Sequence, residues 1–307
     1  MTKIVVGYDG MLGAAVCRSL RSGGALPVTP DICWGNPQAL ADLRDAFDQA
    51  TTNGEPWQLY WCAGAGITSS SAQVFEEELE TFARFCAHVA DSGKAPDGTF
   101  FFASSAGAIY AGSTERPCTE ATPPVPLAPY GHAKLALEGV AGELAEAGVR
   151  VVIGRISNLY GPGQSLDKPQ GLISHLCLAL QTRKPLGIYV SLDTLRDYIY
   201  VDDAAGLIVD MANRATGLPN DRGPWMKIVA TGSSTSIAEL LGTLKLIARR
   251  RIPVILSASS LARHQVADLR MRSDVWPDLD HRPVTPLPAG IANCLADVSL
   301  RWRQRAT

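Results

Sequence analysis

An α/β fold, a doubly wound parallel sheet with a smaller C-terminal domain interleaved with it, is what these 307 residues predict. Three observations carry that expectation. Short apolar runs alternate with amphipathic helical stretches through the first half, and three glycines stand between the first strand-like run and the first helix. Past Tyr160 the alternation turns irregular, with no internal repeat or low-complexity stretch.

Thr2–Val6 reads as a short buried strand, followed at once by Gly7, Gly10 and Gly13. Leu12, Val16 and Leu20 recur every fourth residue on one face of a helix that Ser22-Gly23-Gly24 stops. Leu26–Thr29 is a second strand, weakened by prolines. Asp42–Ala50 is a short helix and Gln58–Ala63 a third strand. Ala72–Ala90 is helical, with Val74, Leu79, Phe82, Phe85 and Val89 opposite Glu76, Glu77 and Glu80. Thr99–Ser104 is a strand, Tyr130–Ala147 a helix and Val151–Ile156 a strand. Proline thickens between Pro117 and Pro129, a loop long enough to be a candidate for function. Further on come a helix over Leu172–Leu180, strands over Leu186–Val190 and Tyr198–Val201, and a helix over Ala204–Asn213. The chain closes with a helix over Ile237–Ile247, a strand over Val254–Leu256 and a terminal helix from about Ala289.

Bulk properties exclude several classes. A net charge of −2 supplies no broad positive field for a nucleic acid. The seven cysteines form no C-x-x-C pair and do not cluster with the five histidines, so no metal site is expected. Their odd count and a strand pattern that starts at the N-terminus point to a reduced, cytoplasmic setting. No apolar run reaches the ~18–20 residues of a membrane span.

Glycines at three-residue spacing between a strand and a helix allow a tight turn and close backbone approach to a pyrophosphate, which the helix N-terminus also attracts. A plain strand–turn–helix connection has the same appearance. Asp31, 24 positions after Gly7, stands near the offset at which a carboxylate takes the ribose hydroxyls of a dinucleotide, and its charge repels a 2′-phosphate. No arginine lies between Gly24 and Arg44, so NAD is the expected cofactor. Asp42 is a candidate for the adenine end or a helix N-cap. Met11 and Leu12 in the glycine turn, Ala63 and Gly64 at the end of the third strand, and Ser104, with Tyr130 and Lys134, complete the expected cofactor set. The fold class is thereby narrowed to a Rossmann sheet.

Tyr130-Gly-His-Ala-Lys134 puts a phenol and an ammonium one turn apart on a helical face. A tyrosine of ordinary pKa ~10 is a poor base at neutral pH, and a neighbouring cation favours its phenolate. The alternative is an exposed tyrosine over a lysine stem. Upstream, a strand ends in Ser104-Ser105, where small hydroxyls face the ligand crevice of a parallel sheet or merely cap it.

Gly-x-x-Gly-x-x-Gly, Ser-Ser-x-x-x-x-Tyr110, Tyr-x-x-x-Lys, Arg155-Ile-Ser-Asn158-Leu-Tyr-Gly-Pro-Gly163 and Leu195-Arg196-Asp-Tyr-Ile-Tyr-Val-Asp-Asp203 come in that order. Together they resemble the nucleotide-sugar epimerase/dehydratase family of extended short-chain dehydrogenases, and the tail from Arg272-Ser-Asp through Trp276-Pro and Thr285-Pro-Leu is similar to the family's ending. The resemblance implies an NAD-binding Rossmann domain over 1–163 and 195–231, and a substrate-binding domain over 164–194 and 232–307. It implies Tyr130 as base and acid, Lys134 on the nicotinamide ribose, Ser105 on the reacting hydroxyl, and Asn158 and Arg196 near a substrate diphosphate. Arg196 has the bidentate chemistry for that role, or is a partner for Asp193 or Asp197. A homodimer pairing the Ala72–Ala90 and Tyr130–Ala147 helices is also implied.

The chain departs from the family pattern at three sites. Ala106 stands where its hydroxyl usually lies, with Ser105 one position early and expected to reach the site through a bulge. Gly107-Ala108 replace the Asp-Glu pair of the dehydratases, and Glu76-Glu77-Glu78 replace an asparagine near the helix start. The expected function is epimerisation of a nucleotide-activated sugar through a keto intermediate. The alternatives are a dehydrogenase or ketoreductase of a sugar or other small carbonyl compound, and a catalytically silent NAD-binding regulator.

Overall fold

The structure, a computed structural model, describes residues 1–64, 71–220, 223–257 and 266–306. Its main sheet has five parallel strands: β1 (Thr2–Val6), β2 (Trp57–Trp61), β3 (Gly98–Ser105), β4 (Arg150–Ile156) and β8 (Trp225–Val229), side by side in the order β1-β2-β3-β4-β8. The strands are buried on both faces, and alternation assigns the layers. Trp57, Leu59 and Trp61 with Phe100, Phe102, Val151 and Ile153 face α2 (Ala39–Ala50), α3 (Ala72–Asp91) and α5 (Pro129–Glu143). Val5, Tyr60, Phe101 and Val152 face α1 (Met11–Ser22) and α7 (Val201–Thr216). The run Phe100-Phe101-Phe102 is thus the mark of a central strand covered twice, each ring contributing roughly 1.5–3 kcal/mol by its burial. The doubly wound α/β fold is the one expected.

A second unit packs on α6 (Leu172–Thr182), α8 (Ile237–Ala248) and α9 (Leu287–Ala306), around Leu176, Tyr200, Leu240 and Ile291. β5 (Asn158–Tyr160), β7 (Leu195–Tyr200) and β11 (Asp268–Leu269) form a small sheet in which β9 (Ser234–Ser236) also pairs β7. β6 (Leu186–Ile188) pairs β10 (Val254–Leu256).

Several boundaries differ for identifiable reasons. Leu26–Thr29 is no strand: Pro27 and Pro30 lack N–H donors, and only Val28 joins β1, donating to the Lys3 carbonyl at 2.7 Å and accepting from the Val5 N–H at 2.9 Å. The helix expected to reach Ala147 ends at Glu143 and tightens into i→i+3 bonds up to Gly148, whose φ of +91° few other residues adopt. The Tyr198–Val201 strand is shifted upstream, because α7 starts at Val201 with Asp202 and Asp203 in its first turn, where their charge suits the helix dipole. β8 was hidden by a lysine in its middle. Lys227 is fully buried and donates 2.7 Å bonds to Ser273 Oγ, the Val275 carbonyl and Asp280 Oδ2. The apolar face of α3 expected to pair with a second chain is instead turned into the chain's own sheet. No helix among the described residues is long and apolar enough to cross a membrane.

Candidate active site

The glycine turn lies at the carboxyl edge of the sheet. Gly7 has φ +81°, and a Cβ there would stand 2.7 Å from the Ala63 backbone. One on Gly13 would stand 2.0 Å from the Gly7 carbonyl oxygen. The turn therefore closes on itself and on the end of β2, leaving bare backbone ahead of Met11 and Leu12 in the first turn of α1, whose N-cap Gly10 makes no side-chain cap. This bare cradle, which side chains would fill, fits the pyrophosphate of a dinucleotide. Gly13→Ala is expected to destabilise the fold by about 1–3 kcal/mol through overpacking and to lower bound dinucleotide, read as a lower thermal midpoint and less nucleotide released on denaturation.

Asp31 is exposed, three residues past the Val28 bridge to Ile4, as Gly7 is three past Ile4, so the two stand at the same end of the sheet. Asp42 lies inside the first turn of α2, whose N-cap is Gln38, so its capping role is not realised.

Tyr130 is the second residue of α5 and half-buried. The following Gly131 has to be small, because a Cβ there would stand 2.5 Å from the Ala108 carbonyl, and this close approach sets Tyr130 beside α4 (Ala106–Ile109) at the end of β3. One turn on, Lys134 is buried, its Nζ 5.9 Å from the Tyr130 ring centroid and 5.3 Å from that of Phe102. The ammonium pairs with Glu78 Oε1 at 3.6 Å, and a Cβ on Gly64 would come within 3.4 Å of it. The reading of an exposed tyrosine over a lysine stem therefore does not hold. Gly64, Tyr130 and Lys134 converge, together with Glu78, which sequence reasoning missed as a neighbour of Lys134. The signal was present: Glu78 follows Phe75 and precedes Phe82 at helical spacing, so it lies on the buried stripe.

The serines separate. Ser104 Oγ donates to Glu138 Oε1 at 2.6 Å. The same carboxylate receives Arg155 through Nη2 at 2.6 Å and Nε at 2.9 Å, and Arg155 Nη1 donates to the Tyr110 hydroxyl at 2.6 Å. Burial alone would lower the pKa of Arg155, but the hydrogen bonds and charge of Glu138 raise it. The Tyr110 phenol is pushed up by burial, with Arg155 opposing. Ser104 thus ties β3 to α5, and its hydroxyl serves the scaffold. The bulge expected at Ser105 is not formed: β3 stays in regular register with β4 through Ser105 and Ile156, and Ser105 is the half-buried N-cap of α4. Ala106 is fully buried against Ile109, Tyr110, Cys118 and Met271.

Asn158 Nδ2 donates to the Asp197 carbonyl at 2.8 Å and so ties β5 to β7. Asp197 binds Ser157 and Thr231, and burial raises its pKa against those hydrogen bonds. Arg196 donates to the Leu195 carbonyl at 2.8 Å, and among the described residues no ion pair forms to it, from Asp193, Asp197 or any other carboxylate. Burial lowers its pKa, against the pull of Tyr198 and Asp268 and with the nearby Arg116 adding to the fall. A half-buried guanidinium that forms no ion pair among the described residues is suited to a phosphate.

A family model, described as the NAD dependent epimerase/dehydratase family, matches residues 4–222. A UDP-glucose 4-epimerase of Azospirillum brasilense is 32% identical over 164 residues, 49% of this chain and 46% of the relative. A dTDP-4-dehydro-6-deoxyglucose reductase of Escherichia coli is 36% identical over 103 residues, 33% of this chain and 32% of the relative. The matched stretches therefore span less than half of either relative. Among solved structures, a UDP-glucose 4-epimerase from Thermotoga maritima with UDP-glucose has a TM-score of 0.81 over 100% of both chains at 20% identity. The UDP-glucose 4-epimerase from Thermus thermophilus in complex with NAD has a TM-score of 0.76, covering 97% of this chain and 99% of that one at 21% identity. At such identities the likeness speaks for the fold.

Proposed function

This chain belongs to the NAD dependent epimerase/dehydratase family, and from that premise we propose that it epimerises a nucleotide-activated sugar through a transient keto intermediate. The observation that carries this reading is the half-buried Tyr130 set one turn ahead of the buried Lys134, at the sheet edge that also holds the bare glycine turn. In this reading Gly7, Gly10, Met11, Leu12 and Gly13 hold the pyrophosphate of NAD, Asp31 the adenosine ribose, and Ala63, Gly64 and Lys134 the nicotinamide half. When bound, NAD supplies an acceptor for a hydride that it can also return. Tyr130 takes the proton of the sugar hydroxyl and later gives it back, with Lys134 favouring the phenolate in between. Ser105 is assigned to the sugar oxygen, and Arg196 and Asn158 to the diphosphate end, on the family resemblance. Residues 1–163 and 195–231 make up the cofactor half in this assignment, and 164–194 and 232–307 the substrate half.

Loss of water from the sugar by the dehydratase route needs an acid and a base where Gly107-Ala108 stand, which disfavours it. A dehydrogenase or ketoreductase that uses the same residues and releases its cofactor each cycle is the second reading, supported by the similarity to a dTDP-4-dehydro-6-deoxyglucose reductase. Denaturing freshly purified protein separates them. The epimerase reading expects close to one NAD per chain in the supernatant; nucleotide-free protein that forms net NADH with a sugar nucleotide would favour the dehydrogenase. Arg196→Ala is expected to raise KM for a nucleoside-diphosphate sugar roughly 10- to 100-fold with a smaller effect on kcat, the loss of a charge-assisted bidentate contact. An unchanged KM would remove the diphosphate assignment. A homodimer is also proposed on the family resemblance, with a sedimentation mass at micromolar concentration of two chains as its check.

A further inference from the structure

We propose that Glu78 is a positioning residue of the redox step, holding the Lys134 ammonium by a buried ion pair and offsetting the charge that Lys134 presents to Tyr130; the proposal rests on the reading of Tyr130 and Lys134 as the redox pair. Glu78 sits on the stripe of α3 that includes Phe75, Phe82 and Phe85, where most residues are apolar. A carboxylate there needs a partner, and Lys134 Nζ is 3.6 Å away, with the two side chains only 10% and 8% exposed. Such a pair is weak evidence for stability, because an apolar pair of like volume serves a fold as well or better. Its location speaks for a different task, since a Cβ on Gly64 would meet both groups, at 3.4 Å from Lys134 Nζ and 3.7 Å from Glu78 Oε1.

Among the described residues, the surroundings of Lys134 leave this carboxylate with the controlling position. From α3 comes Glu78, and from β3 the ring of Phe102. From α5 itself come Tyr130 and, one turn beyond, Glu138, whose two oxygens are taken by Arg155 and Ser104. His132 on the same helix is exposed, and Gly64 brings no charge. Among the described residues Glu78 is therefore the anion that fixes where the ammonium points and how much of its field reaches the phenol at low local dielectric. Tyr130 transfers the proton, and Glu78 acts on it through Lys134.

The test uses the whole enzyme with its retained cofactor and a nucleoside-diphosphate hexose. Glu78→Gln keeps the shape and removes the charge. We expect kcat to fall roughly tenfold, KM to stay within about twofold, and the acidic limb of the kcat profile to move to lower pH, because the field of Lys134 on Tyr130 is no longer offset. Glu78→Asp keeps the charge, so its acidic limb should stay in place while kcat drops, and it carries the test should the amide variant not fold. A Glu78→Gln enzyme with unmoved kcat and pH profile, or a Glu78→Asp enzyme equal to the parent in kcat, overturns the proposal. Should Tyr130→Phe retain full activity, the redox reading itself fails; a dead Tyr130→Phe beside an unaffected Glu78→Gln sinks the role of Glu78 alone.

Discussion

Replacing Tyr130 by phenylalanine is expected to lower kcat by about 10³-fold, within the 10²–10⁴ that a positioned acid–base group supplies, with little change in KM. Phenylalanine keeps the ring that packs 6.2 Å from Phe75 and leaves the Gly131 approach to Ala108 untouched, so the thermal midpoint should hold. What is lost is the atom that takes and returns the proton. The measurement is the steady-state rate with a nucleotide sugar beside a melting curve. Full activity in the variant would remove both enzyme readings and leave a silent NAD-binding protein.

Arg155→Ala should produce the largest loss of stability, about 3–5 kcal/mol, because it strands the buried Glu138 carboxylate and removes a partner of Tyr110. Both side chains of the pair are only 4% exposed, so water cannot replace the guanidinium. The loss would reach the site as well, since Glu138 and Ser104 lock α5 to β3. Urea unfolding reads the change. Pairing Arg155→Met with Glu138→Leu should recover much of it, as no charge is then left buried. A single-variant loss under about 1 kcal/mol would mean that the network is better hydrated than its burial implies.

The layers of the sheet were legible because strands buried on both faces read as continuous apolar runs, as Phe100-Phe101-Phe102 does, and because helices such as α3 carry their apolar stripe at helical spacing. β8 was not legible, since Lys227 looks like a surface residue until Ser273, Val275 and Asp280 arrive from nearly fifty residues away. Leu26–Thr29 failed as a strand through its own prolines, which a periodicity reading underweights. In the site, the spacing of Tyr130 and Lys134 along one helix and the glycine turn between β1 and α1 were readable from local sequence. The partition of the two serines was not, because it depends on Glu138 and Arg155, distant in sequence and adjacent only after folding. Glu78 lies between these cases: its place on the buried stripe was visible, its partner was not. Five of the seven cysteines are buried and all seven are free thiols, in keeping with small core residues.

The proposed reaction turns on a hydride that leaves the sugar and comes back to it. A nucleoside-diphosphate hexose carrying deuterium at the carbon to be oxidised tests this most directly, with the product followed by mass spectrometry and the solution assayed for reduced cofactor. The prediction is an epimer that keeps its deuterium, with no reduced cofactor accumulating. Deuterium appearing in released NADH, with an oxidised sugar in place of an epimer, would contradict it.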